Sequence, residues 1–96
     1  MQNQFMILRS QIGLSGAERM LGNDAQAFDW LYQALTIIQK TKHNSLLMQA
    51  LLELGRWHLA QGDKSLAHYF AQLVIDSPQT WAEIRDLARE LLAELA

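Results

Sequence analysis

Cysteine is absent from the 96 residues. That excludes disulfides, thiolate nucleophiles and cysteine-ligated zinc. There is one proline, Pro78, and only five glycines, so little interrupts long helices. Charge is also scarce. Asp, Glu, Lys and Arg make up 19% of the chain, and the net charge is −2. A nucleic-acid surface needs a clustered basic excess, and the one basic cluster is the short "QKTKH" at residues 39–43. The apolar run "FMIL" at residues 5–8 is far too short for a membrane span or the core of a signal peptide. The expectation is a soluble cytoplasmic domain with neither nucleic acid nor membrane as partner. Its length fits one domain over residues 1–96.

Catalytic and metal signatures are missing too. His43, His58 and His68 form no i,i+4 ligand pair. No serine or histidine sits in a nucleophile signature, and "GLSG" at residues 13–16 follows no strand that would make it a phosphate loop. Neither enzymatic activity nor a metal or cofactor is expected. Trp30, Trp57 and Trp81 lie on or beside apolar helical faces, so core packing is their expected role.

What the chain does have is helix-forming sequence, half of it hydrophobic. From Asp24 to Lys40 the apolar residues Ala27, Phe28, Trp30, Leu31, Ala34, Leu35, Ile37 and Ile38 cover more than half a helical circumference, the sign of packing on two sides. "TKHN" (41–44) reads as a turn. A second helix, about residues 45–60, is apolar except for a narrow stripe of Gln49, Glu53, Arg56 and small Ala60, at spacings that share one face. Gly62 is placed to end it. A third helix covers about Lys64 to Ile75, and "DSPQT" (76–80) stops it. The last runs from Thr80 to about 95, with Thr80 and Glu83 at the spacing of a capping box. Its polar face, including Glu90 and Glu94, reads as solvated surface. Residues 5–21 read as a helix despite Gly13 and Gly16, with a strand over residues 5–9 as the alternative.

The chain says one thing twice. Gly22 placed on Gly62, a shift of 40 residues, sets Leu8 on Met48, Ile12 on Leu52, Leu14 on Leu54 and Ser15 on Gly55. It also sets Ala27 on Ala67, Trp30 on Phe70, Ala34 on Val74 and Leu35 on Ile75. Such self-similarity implies two copies of one helical hairpin. An accidental repeat in a simple bundle is the alternative, and the long matched set disfavours it.

The second copy, "LLELGRWHLAQGDKSLAHYFAQLVIDSP" (51–78), resembles a tetratricopeptide repeat through Leu54–Gly55, Gly62–Asp63, Ala67 and Pro78. The first copy is similar through Leu14–Ser15, Gly22–Asn23, Ala27 and Ala34. Two features depart from the family pattern. His58 stands where the family prefers Tyr, and the period exceeds the usual ~34 residues, the excess falling in the helices or in the joint near Lys40–Asn44. Longer repeats of this kind are similar to those in the C-terminal regions of large bacterial transcription activators and signalling ATPases.

The resemblance implies an all-α fold of two hairpins, about residues 5–40 and 45–76, with a capping helix at about 80–95. It implies a function in protein–protein interaction, with a protein or peptide as partner. In this family the first helix of each hairpin lines a concave groove. That places Gln49, Glu53, Arg56 and Ala60 there, together with Arg9, Gly13, Gly16 and Met20 of the first copy and Arg19 close by. The expected partner-binding residues are Arg9, Arg19, Gln49, Glu53 and Arg56. A second reading is homodimerisation through Phe5, Ile7 and Leu8, since two repeats are fewer than a stable stack usually needs and "FMIL" is an apolar edge if nothing covers it. The chain would then be a self-assembling unit or the tail of a longer array.

Overall fold

A computed structural model describes residues 4–95 of the chain. The described residues form five α-helices and no strand: α1 (Gln4–Met20), α2 (Asp24–Thr41), α3 (Asn44–Ala60), α4 (Lys64–Asp76) and α5 (Ala82–Glu94). Residues 4–20 are helical throughout, so the strand alternative over residues 5–9 does not hold.

The repeat is visible in the backbone as two like helix ends. Gly22 and Gly62 adopt φ of 83° and 84°, the left-handed conformation that a Cβ disfavours. At the first, the N–H of Asn23 donates to the Glu18 carbonyl and that of Gly22 to the Arg19 carbonyl; at the second, Asp63 donates to His58 and Gly62 to Leu59. Each is a Schellman closure, with both bonds satisfying carbonyls that the helix end would leave orphaned. The following helix starts at once. Asp63 caps α4 by accepting from the Leu66 N–H at 3.0 Å. Asn23 makes no such cap bond to α2 and instead donates to the Glu18 carboxylate.

Close helix approach follows at the aligned small residues. In the first copy the Ser15 hydroxyl donates to the Ala27 carbonyl at 2.7 Å. In the second, a Cβ built on Gly55 would lie 3.3 Å from the Phe70 Cβ and 3.5 Å from the Ala67 carbonyl oxygen. Ala27 and Ala67 are fully buried. The same helix contact is thus closed in one copy by a hydroxyl and in the other by the lack of a side chain.

The core is built in two overlapping parts. Leu8, Ile12, Leu31, Ala34, Ile38, Leu46 and Ala50 join α1, α2 and α3. Met48, Leu52, Ala71, Val74, Ile84, Ala88 and Leu91 join α3, α4 and α5. Helix α3 belongs to both, which explains why only a narrow stripe of it is polar. Neighbour-only packing of this kind is how helical repeats stack. Extents of 44 × 32 × 19 Å leave room for two helical layers in the thin direction.

The two copies differ most in the length of their second helices. Helices α1 and α3 have 17 residues each, but α2 has 18 against 13 in α4. The extra length ends at Lys42, a non-glycine residue with φ of 59°, so the expected turn narrows to Lys42 and His43.

The capping box at Thr80 does not form. Trp81 is the N-cap and makes no side-chain cap bond. Thr80 is buried, and its hydroxyl donates back to the Val74 carbonyl at 2.6 Å. The connection is held from the other side by Arg85, whose guanidinium donates to the carbonyls of Ile75, Ser77 and Thr80.

Candidate functional site

The helices α1, α3 and α5 together line a groove of about 470 Å³. Arg19 and Met20 come from the end of α1, Arg56, Leu59 and Ala60 from the end of α3, and Leu87, Glu90, Leu91 and Glu94 from α5. Three helix ends converge here because α3 packs on both α1 and α5. The wall is mixed. Leu59, Leu87 and Leu91 are apolar, Met20 is 79% exposed at the lip, two arginines stand on one side and two glutamates on the other.

Glu53 organises the basic side. Its Oε1 accepts from Arg56 Nη1 at 2.8 Å, one turn along α3. Its Oε2 lies 3.5 Å from Arg19 Nε on α1. The second contact is an ion pair without the alignment of a hydrogen bond, since both of those atoms are buried and lack a hydrogen-bond partner. The Glu53 side chain is 10% exposed, and Arg19 and Arg56 are 22% and 28% exposed. The pairing therefore operates partly out of water, where an ion pair is stronger and costlier to break than at an open surface. Gly16 makes room for it, because a Cβ at that position would meet the Glu53 carboxylate at 3.3 Å.

The structure brings together three of the five expected contact residues: Arg19, Glu53 and Arg56. Gln49, one turn before Glu53 on α3, is half-buried, and its Oε1 has no hydrogen-bond partner. Gln11 Oε1 on α1 is in the same condition. Arg9 lies apart from the groove lining. It is exposed, with its guanidinium 5.9 Å from the centre of the Phe5 ring. The polar stripe of α3 is also less open than its sequence suggests, since Glu53 is buried at 8% exposure.

The residues expected to self-associate are mostly engaged within the chain. Leu8 is fully buried in the first core cluster, so it cannot serve a surface. Phe5 packs against that cluster, its ring 6.2 Å from Trp81 and 6.3 Å from His43. Ile7 is half-buried, and the open residue of "FMIL" is Met6, at 59% exposure.

The contribution of α5 was not legible in the pattern. Leu87, Glu90, Leu91 and Glu94 stand at i,i+3,i+4,i+7 and form one continuous strip, but nothing in their spacing separates groove from solvent. The signal that could have found them is the alignment of α5 with α1 and α3 as the next first helix in a stack.

Among the described residues no group of three or more His, Cys, Asp or Glu side chains could hold a metal ion. Among the same residues no helix is long and apolar enough to cross a membrane.

Comparison with known protein families gives a match. The tetratricopeptide-repeat family matches residues 6–79, a span that takes in α1 to α4 and leaves α5 outside. No curated protein and no solved structure matches the chain. Repeats of this family generally mediate protein–protein interaction and are typically non-enzymatic. With the family match covering most of its length and the repeat written into its turns, the chain belongs to the tetratricopeptide-repeat family.

Proposed function

We propose that this chain is a non-catalytic interaction module that holds a segment of a partner protein in the groove between α1, α3 and α5. The two helix pairs act as repeats and α5 as their cap, which also supplies one wall. Arg19, Glu53 and Arg56 contact the segment in the groove, and Gln49 and Arg9 take its continuation along the same helices. The observation that supports this best is the groove itself, where charged side chains from three helices stand beside the half-buried Leu59 and Leu87 and the exposed Met20. Charged groups at such a rim select partner and register, while affinity comes from the apolar contacts between them. The resemblance to repeat regions of large regulators suggests a regulatory or sensor segment of a larger cytoplasmic signalling or transcription protein.

The test uses peptides selected on this chain from a random display library. The double variant Gln49→Ala/Arg56→Ala should bind them at least about tenfold more weakly, with unchanged helical circular dichroism. Unchanged binding would contradict the groove assignment.

A second reading, self-association through α1, is favoured by Met6 and Leu14, which are 59% and 43% exposed. Light scattering over a concentration series tests it. A dimer abolished by Met6→Glu and Leu14→Glu supports this reading, and a monomer throughout contradicts it.

A further inference from the structure

The groove carries opposite charge on its two sides, and this determines more about the occupant than its being a peptide. On the α1–α3 side stand Arg19 and Arg56, with the single carboxylate of Glu53 shared between them. That side keeps an excess of one positive charge, and both guanidinium groups retain exposed surface. On the α5 side stand Glu90 and Glu94, both exposed. Neither of these glutamates forms a salt bridge within the described residues, where the ion pairs are Arg19–Glu53, Arg56–Glu53 and Arg89–Asp86. Between the two sides lie the half-buried Leu59 and Leu87 over the buried Leu91, with Met20 at the lip.

Resting on the groove reading above, we propose that the partner segment is dipolar across its width. It presents an acidic side chain to Arg19 and Arg56, an apolar stripe to Leu59 and Leu87, and a basic side chain to Glu90 and Glu94. A uniformly acidic segment would meet two unpaired carboxylates on α5. A uniformly basic one would meet the arginines. Like charges brought together across a contact disfavour the wrong partner, and unlike charges set the register of the right one. The arrangement also fixes which way round the segment lies, because turning it over exchanges its acidic and basic edges.

The experiment is a peptide-display selection on the whole chain, run in parallel on the variant Glu90→Lys/Glu94→Lys. Both substituted positions are exposed, so the variant keeps its core. Wild-type selection should enrich peptides carrying an acidic and a basic residue on opposite sides of an apolar stripe. Selection on the variant should lose the basic residue and keep the acidic one. A dipolar peptide from the first selection should bind the variant roughly tenfold more weakly, and the loss should shrink as salt is added. Peptides that are only acidic, enriched equally on both chains, would overturn the dipolar assignment and leave the groove standing. Enrichment of no peptide on the wild-type chain would overturn both.

Discussion

The Glu53 carboxylate rests on Gly16. A Cβ at residue 16 would lie 3.3 Å from Oε1 and 3.4 Å from Oε2, so the absence of a side chain on α1 gives the acid of α3 its place between Arg19 and Arg56. Two predictions follow from this contact. Glu53→Gln keeps the shape and removes the charge, leaving two arginines side by side with no negative charge between them. Partly buried charge-assisted bonds of this kind contribute about 1–3 kcal/mol, so urea unfolding should show a loss in that range. Gly16→Leu should displace the carboxylate and weaken the pairing. The double variant Gly16→Leu/Glu53→Gln should then lose less than the sum of the two single changes, as expected for residues in contact.

Two helical glycines should respond differently to alanine, because they face different surroundings. Nothing lies within 4 Å of a Cβ at Gly13, so Gly13→Ala should gain about 0.5–1 kcal/mol from helix propensity and reduced freedom of the unfolded chain. At Gly55 the new methyl would press on the Phe70 Cβ and the Leu91 Cδ2 at 3.3 Å. The Phe70 Cβ is fixed to its backbone and cannot swing away. Overpacking of that kind costs about 1–3 kcal/mol, so Gly55→Ala should be destabilising despite the helix gain. Thermal melts of the two variants, moving in opposite directions, check the pair.

The left-handed turn positions give a second contrast. Gly22→Ala and Gly62→Ala place a Cβ at φ of 83° and 84°, at about 1–2 kcal/mol each. Lys42 already bears that strain at φ of 59°, so Lys42→Gly should recover up to about 1 kcal/mol. The measurement is the urea midpoint of all three variants.

Arg85 holds α5 in place through three carbonyls, those of Ile75, Ser77 and Thr80. Arg85→Ala should raise amide hydrogen exchange in α5 well before it affects α1 and α2. Arg85→Lys should not restore protection, because a single ammonium cannot reproduce the fan of donors on a guanidinium. Equal exchange in α5 of the variant and the original chain would contradict this role.

Much of the fold was legible because it depends on local chemistry. Gly22 and Gly62 marked helix ends, and both close as Schellman turns. Ser15 aligned with Gly55, and at that position both copies make a close helix approach. The capping box at Thr80 failed for a tertiary reason. The spacing to Glu83 was correct, but burial turned the hydroxyl of Thr80 back to Val74. The site was legible only in part. The stripe of α3 identified Glu53 and Arg56, but its burial depends on Arg19 arriving from another helix, which no single-helix period contains. Leu8 was expected at a surface because its apolar neighbours had no evident cover, and α2 and α3 supply that cover.

The groove proposed for the partner lies between α1, α3 and α5. The most direct test is amide chemical-shift mapping of the labelled chain titrated with a peptide from the wild-type selection. The largest changes should fall at Arg19, Met20, Arg56, Leu59, Leu87 and Leu91. The opposing outcome has a defined place in the structure. Phe28, Tyr32, Tyr69 and Leu73 are exposed on α2 and α4, and Phe28 contacts Trp57 at 5.0 Å between ring centres. Shifts confined to those residues, with Arg19 and Arg56 unmoved, would contradict the groove and move the binding surface to α2 and α4.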